Sequence, residues 1–314
     1  NMQSIQANNY LVHFNQNAYT ALNTHLKENK YSNLFIIVDN ETNEYCLPKF
    51  LPLLETDLNI EIIEFEAGEA NKNIETCIQI WYVLTELGAD RKSLIINLGG
   101  GVVTDLGGFV ASTFKRGVNF INIPTTLLSM VDASVGGKTG VDLGNLKNQI
   151  GVINVPQMVL IDTNYLETLS QAEMRSGLAE MLKHGLIYDA AYWKQFLDLK
   201  SIDYADFDEL IYRSVEIKND IVIQDPTEKN IRKALNFGHT LGHAIESYFL
   251  ESETKTTLLH GEAIAIGMIL ESYISLHKNL ISAEEYAEIK TALKNIYDDV
   301  QIEDNDIDPI LELL

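Results

Sequence analysis

Four residues in the second half of the chain have the types and spacing of a metal site. His239 and His243 lie four positions apart in ALNFGHTLGHAIES, which places both rings on one face of a predicted helix. His260 follows in LLHGEAIAIGM, and Glu180 precedes them in SGLAEMLKHGLI. A glutamate with two histidines is a ligand set of catalytic zinc sites, which keep one coordination position open for substrate. The pattern therefore indicates a metal-dependent enzyme, but without H-E-x-x-H it does not support a metalloprotease.

The residues beside these histidines carry further information. Gly238, Gly242 and Gly261 flank the histidines and indicate that another group approaches the backbone closely. His184, next to Lys183, is a further possible ligand, ranked below the others. The other three histidines of the chain have no pattern around them that suggests a function.

A strand, a run of glycines and a helix follow one another in LIINLGGGVVTDLGGFVAS. Gly99, Gly100 and Gly101 have no Cβ, and the N–H groups of a helix starting near Val103 would supply donors to a phosphate. The pattern differs from the G-x-G-x-x-G fingerprint, so nucleotide binding and a simple tight turn both stay open. Asp39, at the end of an earlier strand, fits either an acceptor for a ribose hydroxyl or a helix N-cap.

Polar and basic residues are concentrated around glycines in INIPTTLLSMVDASVGGKTGVDLGNLKNQIG. The segment GGKTG lacks the P-loop spacing, because Ala133 stands where the first glycine is needed. The chain has a formal net charge of -22, which disfavours nucleic acid as a partner. The lysines of this segment therefore indicate contact with a phosphate or carboxylate of a small substrate, with a solvated surface as the alternative.

Alternating patterns in the first half predict the elements that position these residues. Short apolar runs predict strands at 34–38, 60–65, 94–98, 120–123 and 158–161, with a helix at 74–87. This order favours a mostly parallel sheet with right-handed crossovers. After about residue 162, helical patterns take over at 171–187, 206–223, 234–250, 258–277 and 282–296. We therefore expect an α/β domain at 1–162, an all-α domain at 163–314, and a ligand site in a cleft between them.

Together, these segments resemble the 3-dehydroquinate synthase family. The resemblance spans about residues 39–268 and rests on eight motifs in order: AGEANK, GGGVVTDLGGFVAS, KRG, IPTTLLSMVDASVGGKTGVD, LKNQIG, GLAEMLKHG, ALNFGHTLGHAIE and LHGEAIAIGM. It implies a Rossmann-like α/β domain joined to a helical domain. It also implies a carbon–oxygen lyase that converts 3-deoxy-D-arabino-heptulosonate 7-phosphate to 3-dehydroquinate and phosphate, with NAD and Zn²⁺ or Co²⁺. A homodimer in the shikimate pathway would follow.

The resemblance also implies a role for individual residues. The metal ligands would be Glu180, His239 and His260, with His243 as general acid/base. The NAD contacts would be Asp39, Glu69, Lys72, Gly100, Gly101, Val102, Asp105, Thr125, Thr126, Asp132, Lys138, Lys147, Thr168 and Leu169. The catalytic and substrate contacts would be Asp132, Lys138, Lys147, Asn148, Lys183, Lys218, Arg232 and Asn236, with Arg116 reaching the neighbouring subunit's site. Glu41 departs from the family, which often has Asn at that position.

The implied chemistry uses NAD as a catalyst that is regenerated. A metal polarises two adjacent hydroxyls, NAD⁺ takes a hydride from one, and phosphate then leaves. The hydride returns, the ring opens and an intramolecular aldol reaction closes the carbocycle. Two other enzymes stay open as alternatives: another sugar-phosphate cyclase, such as a 2-deoxy-scyllo-inosose synthase, and an NAD-dependent polyol dehydrogenase of similar fold. A binding module without activity would leave the metal ligands and lysines without a common purpose.

Two expectations concern the whole chain. No apolar run reaches the ~20 residues that cross a bilayer, and the start lacks the pattern of a signal peptide, so the cytoplasm is the expected location. In the family, a lysine-bearing segment follows the helical domain, whereas no lysine follows Lys294 here. We therefore expect a longer protein with a mobile tail, with a naturally short variant as the alternative.

Overall fold

The computed structural model describes residues 2–198 and 204–314. The chain divides into two compact units, the first ending at Leu169 and the second running from Ser170 to Leu314. The sequence places its boundary earlier, after residue 162. The difference is the 3-10 helix Thr163–Thr168, whose buried Tyr165 lies 3.3 Å from the hydroxyl of Tyr19 in the first unit.

A mostly parallel sheet forms the centre of the first unit, as the sequence predicts. The strands of the unit are β1 (Ile5–Gln6), β2 (Leu11–Phe14), β3 (Leu34–Asp39), β4 (Ile60–Phe65), β5 (Leu94–Gly99), β6 (Asn119–Pro124), β7 (Lys138–Leu143), β8 (Leu146–Ile153) and β9 (Met158–Ile161). The sheet has the order β1-β2-β9-β6-β5-β3-β4, and only its β1–β2 pair is antiparallel. Strands β3 and β5 are buried along their whole length, as is typical of apolar central strands covered on both faces.

The order of the strands reverses between β3 and β5. From β3 the chain moves outward to β4, then returns to the other side of β3 and continues through β5 and β6 toward β9. In open α/β sheets, ligands bind outside the carboxyl ends of the strands at such a reversal. Strand β3 ends at Asp39 and β5 ends at Gly99, so both sequence-predicted features lie at this point.

The described residues of the first unit also form five α-helices. They are α1 (Gln16–Glu28), α2 (Asn40–Tyr45), α3 (Leu47–Phe50), α4 (Ile74–Glu86) and α5 (Gly101–Thr113). Helices α4 and α5 bury Cys77, Leu84 and Leu106 in one cluster with Ile95 of β5. Each fully buried Leu or Ile contributes roughly 1.5–3 kcal/mol, so this cluster holds the glycine turn before α5 firmly against the sheet.

Strands β7 and β8 form a separate antiparallel hairpin that the sequence does not predict. Gly140 pairs with Gly151, and a Cβ on Gly151 would come within 2.0 Å of the carbonyl oxygen of Thr139. The close pairing therefore requires glycine, and the same glycines hide the alternation typical of a strand. The hairpin carries Lys138 and Asn148, two of the predicted contact residues.

The described residues of the second unit form helices joined by loops, with no strand, which confirms the predicted class of this half. Its helices are α6 (Gln171–Tyr188), α7 (Ala190–Gln195), α8 (Tyr204–Gln224), α9 (His239–Glu251), α10 (His260–His277), α11 (Ala283–Ile296) and α12 (Asp304–Leu311). The prediction of one helix over 234–250 is wrong at its beginning. A 3-10 helix, Ile231–Asn236, comes first, and Gly238, with a φ of 79°, separates it from α9. Among the described residues, no helix is both long and apolar enough to span a membrane.

Candidate active site

Three helices of the second unit bring Glu180 and the histidine cluster together. The buried α6 carries Glu180, whose side chain is 0% exposed. His239 is the first residue of α9, His243 lies one turn further along it, and His260 is the first residue of α10. Oε1 of Glu180 lies 3.1 Å from Nε2 of His239 and 3.2 Å from Nε2 of His260. The ring centroid of His243 is 5.0 Å from that of His239 and 5.7 Å from that of His260.

Glycines allow these helices to approach closely enough for that arrangement. A Cβ on Gly261 would lie 2.1 Å from the carbonyl oxygen of Ser176 in α6. A Cβ on Gly267 of α10 would lie 2.0 Å from the carbonyl oxygen of Gly238, and one on Gly242 would lie 3.0 Å from that of Ala263. The close approach predicted from the glycines is therefore that of neighbouring helix backbones, which sets the spacing of the histidines.

Nδ1 of His239 and Nδ1 of His260 each lie beside a hydrogen-bond acceptor. Nδ1 of His239 lies 3.0 Å from the carbonyl oxygen of Phe237, and Nδ1 of His260 lies 3.4 Å from Oε2 of Glu246. An acceptor at Nδ1 favours the tautomer with the proton on that nitrogen. Nε2 of each ring is then the nitrogen that faces Oε1 of Glu180 and is available to a metal.

The charges around Glu180 decide its protonation. Burial raises its pKa, but the ammonium of Lys183 and the hydrogen bonds from His239 and His260 outweigh burial and hold the pKa well below its usual value. Lys183 is itself buried and forms its ion pair with Oε2, so Oε1 stays directed at the two histidines. Glu180 is thus an ionised carboxylate inside the protein.

His260 and His243 differ in charge at pH 7. Burial lowers the pKa of His260, but its hydrogen bonds to Glu180 and Glu246 outweigh this and raise the pKa to about 10. Burial, followed by the positive charges of His239 and His260, lowers the pKa of His243 to about 4. His243 is therefore neutral at pH 7 and able to accept a proton.

The donor set fits a divalent metal ion. With metal–nitrogen and metal–oxygen distances of about 2.0–2.2 Å, the ligand atoms of a tetrahedral zinc lie about 3.3 Å apart. The observed separations of 3.1 and 3.2 Å from Glu180 Oε1 to the two Nε2 atoms are close to that value. Ligand atoms of His239, His243 and His260 also lie within 4.8 Å of one another, so geometry alone leaves His243 as a further ligand or a neighbour. His184 faces elsewhere, since its Nδ1 lies 2.5 Å from Oγ of Ser214 in α8.

The other predicted residues of the second unit lie on elements that contact α6. Lys218 is buried on α8, and Arg232 and Asn236 lie in the 3-10 helix Ile231–Asn236. Arg232 donates from Nη1 to the carbonyl oxygen of Pro226. Asp225, which the sequence analysis missed, accepts the backbone N–H of Arg232 and so orders this loop. Its position one residue before a proline was the only available signal.

In the first unit, the residues at the reversal of strand order form a compact backbone turn. The N–H of Thr125, after β6, donates to the carbonyl oxygen of Gly99. A Cβ on Gly100 would lie 3.0 Å from Thr126, whereas Gly101 begins α5 with no atom nearer than 3.9 Å to such a Cβ. Val102 occupies the next position of α5, whose first N–H groups are the donors expected for a phosphate.

Asp39 is a helix N-cap, one of the two alternatives that the sequence leaves open. Its Oδ1 accepts from the N–H of Thr42 at 2.8 Å, and the side chain of Thr42 accepts the N–H of Asp39 in return. Since the cap uses Oδ1, the observed bond does not exclude a ribose hydroxyl at the second oxygen. Its contact with a cofactor stays a prediction.

A network of polar residues joins AGEANK to the β7–β8 hairpin. Nζ of the buried Lys72 donates to Oδ2 of Asp105 at 2.9 Å and to Oδ1 of Asn148 at 2.7 Å. Asp142 accepts the N–H of Asn148 at 2.8 Å, while its own N–H donates to the carbonyl oxygen of Lys72. Lys147 and Glu69 form an ion pair at 3.3 Å. Five predicted residues are thus brought together, and Asp142 is a sixth that sequence reasoning missed although it closes the motif GGKTGVD.

The remaining predicted residues lie elsewhere in the first unit. Asp132 lies on a π-helical segment, Ser129–Ala133, and Lys138 is the exposed first residue of β7. Thr168 and Leu169 end the unit at its last 3-10 helix. Arg116, with a φ of 68°, lines an open cavity of about 560 Å³ with Asp90, Arg91 and Lys115.

Comparison with solved structures identifies the class of fold. The chain is similar to ValA, the 2-epi-5-epi-valiolone synthase of Streptomyces hygroscopicus subsp. jinggangensis, with a TM-score of 0.83 and 25% identity over 100% of this chain and 87% of that chain. That structure has NAD+ and Zn2+ bound. A 2-deoxy-scyllo-inosose synthase complexed with carbaglucose-6-phosphate, NAD+ and Co2+ is similar in fold, with a TM-score of 0.81 and 24% identity over 99% of this chain and 86% of that chain. These structures define the class of fold, an α/β unit with a mostly parallel sheet followed by a helical unit.

Sequence comparison then narrows this class to one family. The models of the 3-dehydroquinate synthase N-terminal and C-terminal domains match residues 62–176 and 177–314. The 3-dehydroquinate synthase of Parabacteroides distasonis is 42% identical over 290 residues, which cover 91% of this chain and 80% of that protein. The 3-dehydroquinate synthase of Lactococcus lactis subsp. cremoris is 42% identical over 270 residues, 84% of this chain and 75% of that protein. The chain belongs to the 3-dehydroquinate synthase family, which confirms the resemblance inferred from its motifs.

Proposed function

We propose that the chain converts 3-deoxy-D-arabino-heptulosonate 7-phosphate to 3-dehydroquinate and phosphate with NAD and a divalent metal, Zn²⁺ or Co²⁺. The observation that carries this proposal is the convergence of Nε2 of His239 and Nε2 of His260 on Oε1 of Glu180 in a member of this family. An ionised, buried carboxylate between two imidazoles is stable only with positive charge nearby. Lys183 and the protonated His260 supply that charge here, and a metal ion held by the three side chains would take the place of the proton on His260.

Glu180, His239 and His260 would hold the metal, whose chemistry is the polarisation of substrate hydroxyl groups. Lys183 holds the second oxygen of Glu180, so it leaves Oε1 as the ligand atom. His243 adjoins the ligands and stays neutral at pH 7, which suits a residue that accepts a proton from a hydroxyl and later returns it.

The carboxyl ends of β3 and β5 would bind NAD, which supplies reversible hydride transfer. Gly100 and Gly101 permit close approach of a pyrophosphate to the first turn of α5. Asp39 offers its second carboxylate oxygen to a ribose hydroxyl, and the Lys72 network orders the hairpin beside the turn. Positions for the further contacts, among them Thr125, Thr126, Asp132, Lys138, Thr168 and Leu169, rest on the family resemblance.

Basic residues in an acidic protein would bind the anionic groups of the substrate. Lys183, Lys218 and Arg232 are all buried, and a buried cation favours a carboxylate or phosphate as its partner. Asn236 would add a neutral hydrogen-bonding group. We further propose a cytoplasmic homodimer in which Arg116, exposed on the first unit, reaches the partner's site.

The deciding experiment measures phosphate release from the heptulosonate phosphate with and without NAD and with and without a chelator. The proposal requires release that depends on both, with no net accumulation of NADH. NADH that accumulates one-for-one with product would favour a polyol dehydrogenase instead. Glucose 6-phosphate as a second substrate distinguishes an inosose synthase, which acts on a sugar without a carboxylate.

A further inference from the structure

The metal site of the second unit includes a carboxylate with no assigned role. Glu246 lies on α9, three residues after His243 and thus on the same face of the helix as the histidines. Its Oε2 lies 3.4 Å from Nδ1 of His260, and its side chain is 19% exposed. It therefore contacts a proposed ligand on the side away from Glu180.

His239 and His260 obtain their Nδ1 acceptors in different ways. The acceptor for His239 is the carbonyl oxygen of Phe237, two residues earlier in the same chain segment, so local backbone geometry provides it. His260 begins α10, and the residue before it, Leu259, directs its N–H to Oε1 of Glu262 in a capping arrangement. In the described structure, the acceptor for Nδ1 of His260 comes from another helix.

We propose that Glu246 is a positioning residue that fixes the ring of His260 with Nδ1 protonated and Nε2 directed at the metal; this inference rests on the proposed metal site. Glu246 itself binds neither metal nor substrate in this arrangement. Carboxylates that accept from metal-binding histidines fix the tautomer and raise ligand basicity, and their loss typically weakens metal binding ~10–100-fold. The link also couples α9 to the first residue of α10, at the point where both helices present ligands.

The test is a zinc titration of the full-length apoprotein in competition with a chelator of known affinity. Glu246→Ala should bind Zn²⁺ ~10–100-fold more weakly than the wild type. Glu246→Gln keeps an acceptor oxygen without the charge, so its affinity should lie between the two. Glu251→Gln, at the exposed end of the same helix, is the matched control and should bind as the wild type does. Equal affinities for Glu246→Ala and the wild type would overturn the proposal, as would an equal loss in the control.

Nitrogen-15 NMR of the zinc-loaded wild type gives a readout that does not depend on any variant being stable. The signals of His260, assigned through bonds in the zinc-loaded wild type, should show Nδ1 protonated and Nε2 bound to zinc. A ring that binds zinc through Nδ1 contradicts the role of Glu246. A wild-type protein that binds no zinc at all would instead remove the metal site of the proposed function, so the two failures are distinguishable.

Discussion

Oε1 of Glu180 lies 3.1 Å from Nε2 of His239, although 59 residues separate the two along the chain. The contact crosses from α6 to the first residue of α9, and the same oxygen lies 3.2 Å from Nε2 of His260 on α10. One buried carboxylate of α6 thus faces the first residues of two other helices, α9 and α10. Changes at this point should alter metal binding and helix packing in separable ways.

Replacement of His260 by alanine should remove the bound metal. The variant loses one of three proposed ligands and leaves the carboxylate of Glu180 without one of its two imidazole contacts. We expect elemental analysis to find little zinc in purified His260→Ala and its activity to fall nearly to zero. His277→Ala, an exposed residue at the other end of α10, should keep its metal. Full metal occupancy in His260→Ala would exclude it as a ligand.

Replacement of His243 by alanine should preserve the metal but slow the reaction. Burial and its two histidine neighbours lower the pKa of His243 to about 4, so the ring is neutral at pH 7 and accepts a proton as a weak base. Loss of a general acid/base typically slows a reaction ~10²–10⁴-fold. Metal content and kcat, measured on one preparation of His243→Ala, check this expectation. If the metal is lost together with the activity, His243 is a ligand.

Replacement of Gly261 by alanine should destabilise the second unit. The added Cβ would lie 2.1 Å from the carbonyl oxygen and 2.4 Å from the Cα of Ser176, and backbone atoms cannot rotate away. Overpacking of this kind costs about 1–3 kcal/mol or more. The shift would also displace α6, and with it Glu180, so zinc affinity should fall too.

Denaturant unfolding of the apoprotein measures the destabilisation expected for Gly261→Ala. Gly101→Ala is the control for unfolding alone, because its Cβ would meet nothing nearer than 3.9 Å. If the free energy of unfolding of Gly261→Ala equals that of the wild type, α6 and α10 move apart to admit the methyl group without loss of stability.

The stability of the second unit should depend on the charge of Asp306 at acidic pH. Lys255, Tyr248 and the N–H of Glu303 hydrogen-bond its carboxylate and lower its pKa to about 2. A lowered pKa stabilises the folded state above the unfolded value of about 3.9, and this contribution is lost as pH falls toward 2. Wild type should therefore exceed Asp306→Asn in stability at pH ~5, with a gap that narrows toward pH ~2.

Urea unfolding of the wild type and of Asp306→Asn, between pH ~2 and pH ~5, measures the difference in their free energies of unfolding. Asp308→Asn, an exposed position on the same helix, should show a much smaller gap. A gap for Asp306→Asn that is constant with pH would mean that its ion pair with Lys255 contributes nothing to the folded state.

Local sequence patterns predict much of the fold correctly, because they depend on short-range periodicity. The strands β3, β5 and β9 appear as apolar runs since they are buried on both faces of a parallel sheet. The hairpin of β7 and β8 was missed because its glycine-rich strands have no such alternation and β8 is largely exposed. The sequence pattern predicts that α9 begins at residue 234, but it begins at His239, because Gly238 has a left-handed backbone conformation that interrupts the helix.

The residue types and spacing alone determine that this chain has a Glu–His set, a glycine turn and lysines suited to anions. They do so because chemical type and local spacing are properties of the chain itself. Only the tertiary structure decides that Oε1 of Glu180 faces two Nε2 atoms, that Asp39 caps α2, and that Glu246 reaches His260. Those contacts depend on how helices distant in sequence pack, and that packing is set by backbone approaches, such as Gly261 on Ser176, which sequence spacing does not encode.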